Sequence, residues 1–158
     1  MSVETTGALD VAALAHRVDR LEAERDIQRL MVRYAESLDY GANERWAQCF
    51  APDGHFAVLM RGEPMFAHTG TAALSAFAAG HSHAPAVYHK HFVSIPEVDF
   101  EDDTHAAART YFTMLHERPS GPVVLVFGRY LDRLVRLGTG WAFAERVVDM
   151  EAMPPPQS

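Results

Sequence analysis

The stretch that decides the fold runs THAAARTYFTMLHE (104–117), RPSGP (118–122), VVLVFGRYLDRLVRL (123–137), GTG (138–140) and WAFAERVVDME (141–151). The three longer segments read as strands. Arg118-Pro119-Ser120-Gly121-Pro122 and Gly138-Thr139-Gly140 read as reversals, because proline presets one backbone angle and glycine frees others. Long strands joined by tight turns predict an antiparallel, strongly twisted sheet. Immediately upstream, Ala86–Ser94 and Glu97–Phe100 read as two further strands, and the acidic turn Glu101-Asp102-Asp103 leads into the strand at Thr104.

The N-terminal half has a different period. From Asp10 to Asp39 the pattern is helical, with one stripe of Leu14, Val18 and Leu21 and a second of Ile27, Leu30, Met31, Tyr34 and Leu38. The spacing slips across Glu22–Asp26, which predicts two helices or one bent helix, closed by Gly41. Asn43 is expected to cap a short helix carrying Trp46, Cys49 and Phe50, stopped by Ala51-Pro52-Asp53-Gly54. His55–Met60 and Met65–Thr69 predict a hairpin around Arg61-Gly62-Glu63-Pro64, and Thr71 is expected to cap a third helix through Ala79. Gly80 to Pro85 reads as a loop. Helices followed by successive strands are an α+β layout. We expect one domain over residues 10–151, with flexible tails at 1–9 and 152–158 and a small-molecule pocket between helices and sheet.

Composition bounds the function. The chain has 158 residues, with 14 Lys and Arg against 21 Asp and Glu, a net charge of −7. That balance argues against nucleic acid, whose binders need a basic face, and against an anionic membrane surface. Hydrophobic residues at 48% supply a proper core without disulfides, and the single Cys49 cannot form one within the chain. The first fifteen residues lack a basic n-region and contain Glu4 and Asp10, so no secretory signal is read. The longest apolar run, Val123–Phe127, falls far short of the ~18 residues needed to span a bilayer. The expectation is a cytoplasmic protein with no nucleic-acid or membrane partner.

Several residues are candidates for chemistry. Asp39 sits at the end of an amphipathic helix, unfavourably placed against the helix dipole, which calls for solvent or a specific partner. In Ala86–Ser94 the strand alternation puts Val87, His89, His91 and Val93 on one face. A histidine on such a face is either satisfied by a neighbour or poised for proton transfer, its ordinary pKa being ~6.5. His81-x-His83 and His89-x-His91 have spacing compatible with metal ligation, but no second cysteine and no Glu-x-x-His motif accompany them, and no metal is expected. Gly-x-Ser-x-Gly, Gly-rich phosphate loops and dinucleotide fingerprints are all missing from the sequence. Cys49, between Trp46 and Phe50, reads as core packing. Tyr34 reads as a core tyrosine or as a phenol at a pocket mouth, and Phe56, Phe112, Phe127 and Trp141 as core or pocket walls.

Ile27–Asp39, Trp46-Ala-Gln-Cys-Phe50-Ala-Pro-Asp53-Gly54, Gly70-Thr-Ala-Ala-Leu74, Tyr88-His-Lys-His91-Phe-Val-Ser94 and Gly128–Arg136 followed by Gly140-Trp141-Ala-Phe143 together resemble the SnoaL-like branch of the nuclear-transport-factor-like superfamily. The resemblance covers roughly residues 18–150. It implies a curved, mostly antiparallel sheet wrapped around three or four N-terminal helices, a cone-shaped α+β barrel with an internal cavity. Members include scytalone dehydratase, hexachlorocyclohexane dehydrochlorinase, bile-acid 7α-dehydratase, polyketide cyclases, limonene epoxide hydrolase and ketosteroid isomerase, so the fold does not select the chemistry. The dehydratase and dehydrochlorinase patterns place an Asp at the position of Asp39 and a His at that of His91. The bile-acid dehydratase pattern places a tyrosine at Tyr34, but its second tyrosine falls near Val58 here.

The resemblance thus implies Asp39, His91 and Tyr34 as catalytic residues, and His89, Phe56, Val58, Met60, Phe112 and Met114 are the residues expected to meet substrate. It implies a cofactor-independent acid–base enzyme acting on a hydrophobic polyketide- or steroid-like ring by elimination, isomerisation or cyclisation. It also implies assembly as a homo-oligomer, dimer or trimer. The alternative is a non-catalytic ligand-binding module or the small subunit of a ring-hydroxylating oxygenase.

Overall fold

The computed structural model describes residues 10–138 and 140–152. The tails expected at 1–9 and 152–158 lie outside them, apart from Ala152, which ends the last strand. Helix α1 spans Val11–Asp39 without a break. Its N-terminus is capped by Asp10, whose carboxylate accepts from the N–H groups of Ala12 and Ala13. The charged stretch Glu22–Asp26 does not interrupt it, since Glu, Ala and Arg are good helix formers. The two stripes instead mark two surroundings of one helix. Leu14, Val18 and Leu21 are exposed, whereas Ile27, Leu30, Met31, Tyr34 and Leu38 are buried.

Gly41 follows α1 with φ +72°, and a Cβ there would lie 2.6 Å from the His83 ring. The position therefore needs glycine both for its backbone angle and for the close approach of the loop. Two expected caps are corrected. Helix α2 is Asn43–Ala47, so Asn43 is its first residue and Ala42, without a side-chain cap, precedes it. Helix α3 is Thr71–Gly80, preceded by Gly70 at φ +80°, and the Thr71 hydroxyl reaches the Pro52 carbonyl instead.

Strand β1 runs Phe50–Met60, through the Pro52-Asp53-Gly54 segment expected to end a helix. It pairs in parallel with the last strand at Phe50↔Phe143 and again from His55↔Glu145, and the proline and glycine sit in the irregularity between. A proline is tolerated where no ladder hydrogen bond is required. Arg61 and Gly62, both at positive φ, then turn the chain into β2, Glu63–Thr69. That two-residue reversal matches the twist of the flanking strands and is tighter than the turn expected over 61–64. Strand β3 is His89–Val93, shorter than the predicted Ala86–Ser94, because Val87 N–H donates to the His83 carbonyl in a turn. Strands β4 (Glu97–Phe100), β5 (His105–His116), β6 (Val123–Leu137) and β7 (Gly140–Ala152) follow the sequence expectation closely.

The strands form one curved, unclosed sheet in the order β2-β1-β7-β6-β5-β3, with β4 also on β5. All pairs are antiparallel except β1–β7. Three helices, among the described residues, lie against it, and α1 touches both β3 and β7. None of the described helices is long and apolar enough to cross a membrane. At the bulge between Phe127 and Gly128 a Cβ on Gly128 would come within van der Waals overlap of the Asp149 carbonyl, so this glycine admits the neighbouring strand. Phe127 itself is exposed and walls neither core nor pocket.

The inner face of β6 presents Val126, Tyr130, Asp132 and Leu134, all buried. Asp132 faces Arg146 across the ladder, and the guanidinium grips its carboxylate through Nε at 2.8 Å and Nη2 at 2.7 Å. The arginine is fully buried. Its cation lies 4.2 Å from the ring centroids of Tyr34 and Tyr130 and 3.8 Å from that of Phe143, and Nη2 meets the Met31 sulfur. Removing one partner of such a pair strands a charge in low dielectric. We expect Asp132→Asn to lower stability by about 3–5 kcal/mol in denaturant unfolding, and the double change Asp132→Leu with Arg146→Met to recover most of it. A loss below about 1 kcal/mol for the single variant would show that water reaches the guanidinium.

Candidate functional site

A cavity of about 160 Å³ opens between α1, α3 and the sheet. Its walls are largely apolar, built by Leu38 of α1, Phe77 of α3, Phe56, Val58 and Phe66 of the first hairpin, and Phe112, Met114 and Met150 of the long strands. Four polar side chains join them: Tyr34, Tyr130, His81 and His91. Of the residues expected to meet substrate, Phe56, Val58, Phe112 and Met114 line this space. Met60 does not, because it sits at the end of β1 beside the turn. His89 does not line it either and lies buried behind the wall.

Asp39 holds the polar end of the site. Its own carbonyl accepts from Ala84 N–H, so the loop after α3 is stitched across the end of α1. The residue is 3% exposed, at a helix end whose dipole disfavours a carboxylate. The compensation comes from β3. His91 donates its main-chain N–H to Oδ2 at 3.1 Å, and its Nδ1 lies 2.6 Å from Oδ1. A carboxylate can only accept, so Nδ1 carries the proton, and in the neutral ring Nε2 is the nitrogen with the lone pair. His91 also lines the cavity, and Nε2 has no protein partner among the described residues. The arrangement is an oriented imidazole with a free basic nitrogen at the wall of an apolar space.

His89 packs edge-on against His91, its Nε2 3.2 Å from Asp39 Oδ1. The approach is not aligned for a hydrogen bond, and Nε2 has no partner among the described residues. Burial pushes this imidazole down to about 4, so it is neutral at pH 7. Burial likewise lowers His81 below the ordinary histidine value. It raises the hydroxyls of Tyr34 and Tyr130 far above the ordinary tyrosine value, and both remain neutral phenols able to donate. Cys49 is fully buried, donates to the Arg45 carbonyl, and has its thiol pushed up to about 11 by burial, as suits core packing and not a nucleophile.

One donor atom from each of Asp39, His89 and His91 lies within 4.8 Å of the others. Two imidazoles and a carboxylate suit a divalent transition metal, but a bound ion would replace the 2.6 Å Nδ1–Oδ1 hydrogen bond. Tyr130 and His81 are cavity residues that the sequence did not single out for this role. The signal for Tyr130 is its place on the inward alternation of β6. His81 ends α3 and enters the cavity only through the path of the following loop.

The SnoaL-like domain model matches residues 19–147 of this chain. No curated protein sequence matches it significantly. Among solved structures it is similar to an NTF2-like protein with a cystatin-like fold from Novosphingobium aromaticivorans, at 25% identity and a TM-score of 0.81 over 91% of this chain and 92% of that one. It is also similar to a candidate scytalone dehydratase from the same organism, at 26% identity and 0.73 over 90% and 93%. The beta subunit of a candidate aromatic-ring-hydroxylating dioxygenase from that organism superposes with a TM-score of 0.75 at 17% identity over 85% and 93%, a likeness of fold alone.

The burial of neutral His89 has a pH consequence. The unfolded chain takes up a proton near pH 6.5 that the folded protein resists down to about 4, so folding stability falls as pH drops through that window. Thermal unfolding between pH 7 and 4 is expected to show this loss, reaching roughly 3 kcal/mol from this group. His89→Gln flattens the slope. An unchanged slope in that variant would assign the acid sensitivity to other groups.

Proposed function

The chain belongs to the SnoaL-like domain family of the NTF2-like superfamily, and from that premise we propose that it is a cofactor-independent acid–base enzyme working through Asp39 and His91. The observation that carries the reading is the 2.6 Å Asp39–His91 contact at the edge of an otherwise apolar cavity. His91 Nε2 takes a proton from a carbon beside a carbonyl or a leaving group. Asp39 keeps the ring in the productive tautomer and stabilises the imidazolium that forms. Tyr34, a neutral phenol at the wall, donates to the carbonyl or leaving oxygen, where charge develops. In an elimination the C–H electron pair becomes the double bond, the C–O bond breaks, and the leaving hydroxyl, held by the Tyr34 hydrogen bond, departs as water with the proton that His91 returns. In an isomerisation the proton returns from His91 to another carbon.

Cavity size narrows the substrate. About 160 Å³ lies below the roughly 300–1,000 Å³ of sites for drug-sized ligands. That favours a one- or two-ring compound over a four-ring steroid. The functional unit is residues 10–151. Exposed Phe92, Ile95, Tyr111 and Phe127 support self-association as a dimer or trimer, and we place the protein in the cytoplasm. The oxygenase-subunit reading has only the fold behind it, and such a role needs no buried carboxylate–imidazole pair facing a cavity.

A second reading attaches to the unpartnered Nε2 of buried His89, which a metal held by Asp39, His89 and His91 would satisfy. Metal analysis of purified protein decides between them. Under the acid–base reading, chelation and dialysis leave activity unchanged, whereas a stoichiometric metal whose removal abolishes turnover overturns it.

The direct test needs no natural substrate. Deuterium uptake beside the carbonyl is followed by NMR for a panel of one- and two-ring hydroxyketones. His91→Ala is expected to slow catalysed exchange by about 10²–10⁴-fold, and Asp39→Asn substantially, with both variants still folded. Undiminished exchange in His91→Ala removes the base from its assigned role.

A further inference from the structure

His81 is the cavity's second imidazole and has no part in the chemistry above. It closes α3, its main-chain N–H donating to the Ala78 carbonyl. Its ring lies 6.0 Å from that of Phe77 and 5.2 Å from that of His89. It lines both the cavity and an outer groove shared with His68, Ala73 and Phe77, which puts it at the mouth. Nδ1 sits 2.8 Å from the Ser82 carbonyl. A carbonyl can only accept, so Nδ1 bears the proton and Nε2 is a lone-pair acceptor. No protein donor among the described residues meets it.

We propose that His81 is a substrate-positioning residue whose Nε2 accepts a hydrogen bond from a ring hydroxyl, so that the substrate class is a hydroxylated ring compound. The inference rests on the acid–base reading, because it assumes that the ligand's ring occupies the cavity beside His91. Burial favours the neutral form of His81, which keeps Nε2 an acceptor. The cavity then offers two acceptors of fixed direction, His81 Nε2 and His91 Nε2, and only the second is needed as a base. A bare hydrocarbon ring would cover the His81 acceptor and leave it unpaired, while a hydroxylated ring satisfies it. Sites built to bond a hydroxyl reject the analogue that lacks one for this reason. Anchoring the hydroxyl at the mouth fixes which ring carbon faces His91, and such positioning contributes to rate as well as to affinity.

The test uses two probes of nearly equal shape, 2-naphthol and 2-methylnaphthalene, titrated by fluorescence against the full chain. The quantity read is the ratio of their affinities, which a merely structural role for His81 would not move. In His81→Phe, which keeps a ring at the mouth, the ratio is expected to shift about tenfold away from 2-naphthol. In His81→Gln, whose amide oxygen can accept, most of the preference is expected to return. A ratio unchanged in His81→Phe overturns the proposal, as does a shift produced by His91→Phe instead, or a wild-type protein that binds neither probe. The two readings fail separately. Deuterium exchange lost in His91→Ala with an unmoved probe ratio sinks only the His81 role. A moved ratio in a protein that exchanges nothing sinks only the catalysis.

Discussion

A guanidinium without water must find its solvation in protein, and the solvation of Arg146 organises the centre of this molecule. Asp132 supplies the counter-charge from the neighbouring strand, and the faces of Tyr34, Tyr130 and Phe143 supply a polarisable cage. The cage ties α1 to β6 and β7, since Tyr34 and Met31 come from the helix and the rest from the sheet. Tyr34 and Tyr130 are also walls of the cavity. The same contact that neutralises a buried charge therefore fixes two of the four polar groups that a ligand meets. Volume-conserving replacement of a buried ion pair can leave stability intact, so the pair's distinct contribution is to the placement of those two phenols.

Much of the fold was legible because local periodicity and tertiary burial agree in the C-terminal half. Val123–Leu137 forms a strand over the span read from its residues, and Glu97–Phe100 does too. Agreement failed where distant partners override local chemistry. Pro52-Asp53-Gly54 looks like a stop, yet β7 pairs with the strand on both sides of it. Glu22–Asp26 looks like a break between two helices because the apolar stripe moves. The helix in fact continues, and only what surrounds it changes. Asn43 and Thr71 have good capping side chains, but the helix boundaries fall so that Ala42 and Gly70 occupy the cap positions.

The candidate site divides in the same way. The two-residue period of a strand put His89 and His91 on one face, and a carboxylate at a helix end asked for a partner. Both signals are local, and the structure joins them through His91. The sequence could not say that His91 reaches the cavity while His89 stops behind it, because that depends on where β3 meets the end of α1. Phe56, Val58 and Met60 alternate along β1, but the strand leaves the cavity before reaching Met60. Arg146 carried no local signal. Its partner did, for Asp132 stands in the inward register of Tyr130 and Leu134, where an acid must be answered from across the sheet.

The parallel joining of β1 to β7 has a consequence for how the chain comes into being. These strands meet residue for residue across about ninety positions of sequence, as at Phe56↔Arg146 and Val58↔Val148. Before β7 is synthesised, β1 has only the short β2 beside it in the sheet, and a lone hairpin is marginal in water. The sheet gains its central strand last. Until β7 is made, Phe50 and Phe56 have the rings of Tyr34, Trp46 and Phe77 against them but lack Phe143 and the rest of β7, and closing so long a loop is intrinsically slow. In a nascent chain of this topology the unpaired edge of β1 is an aggregation hazard that only the arrival of β7 removes.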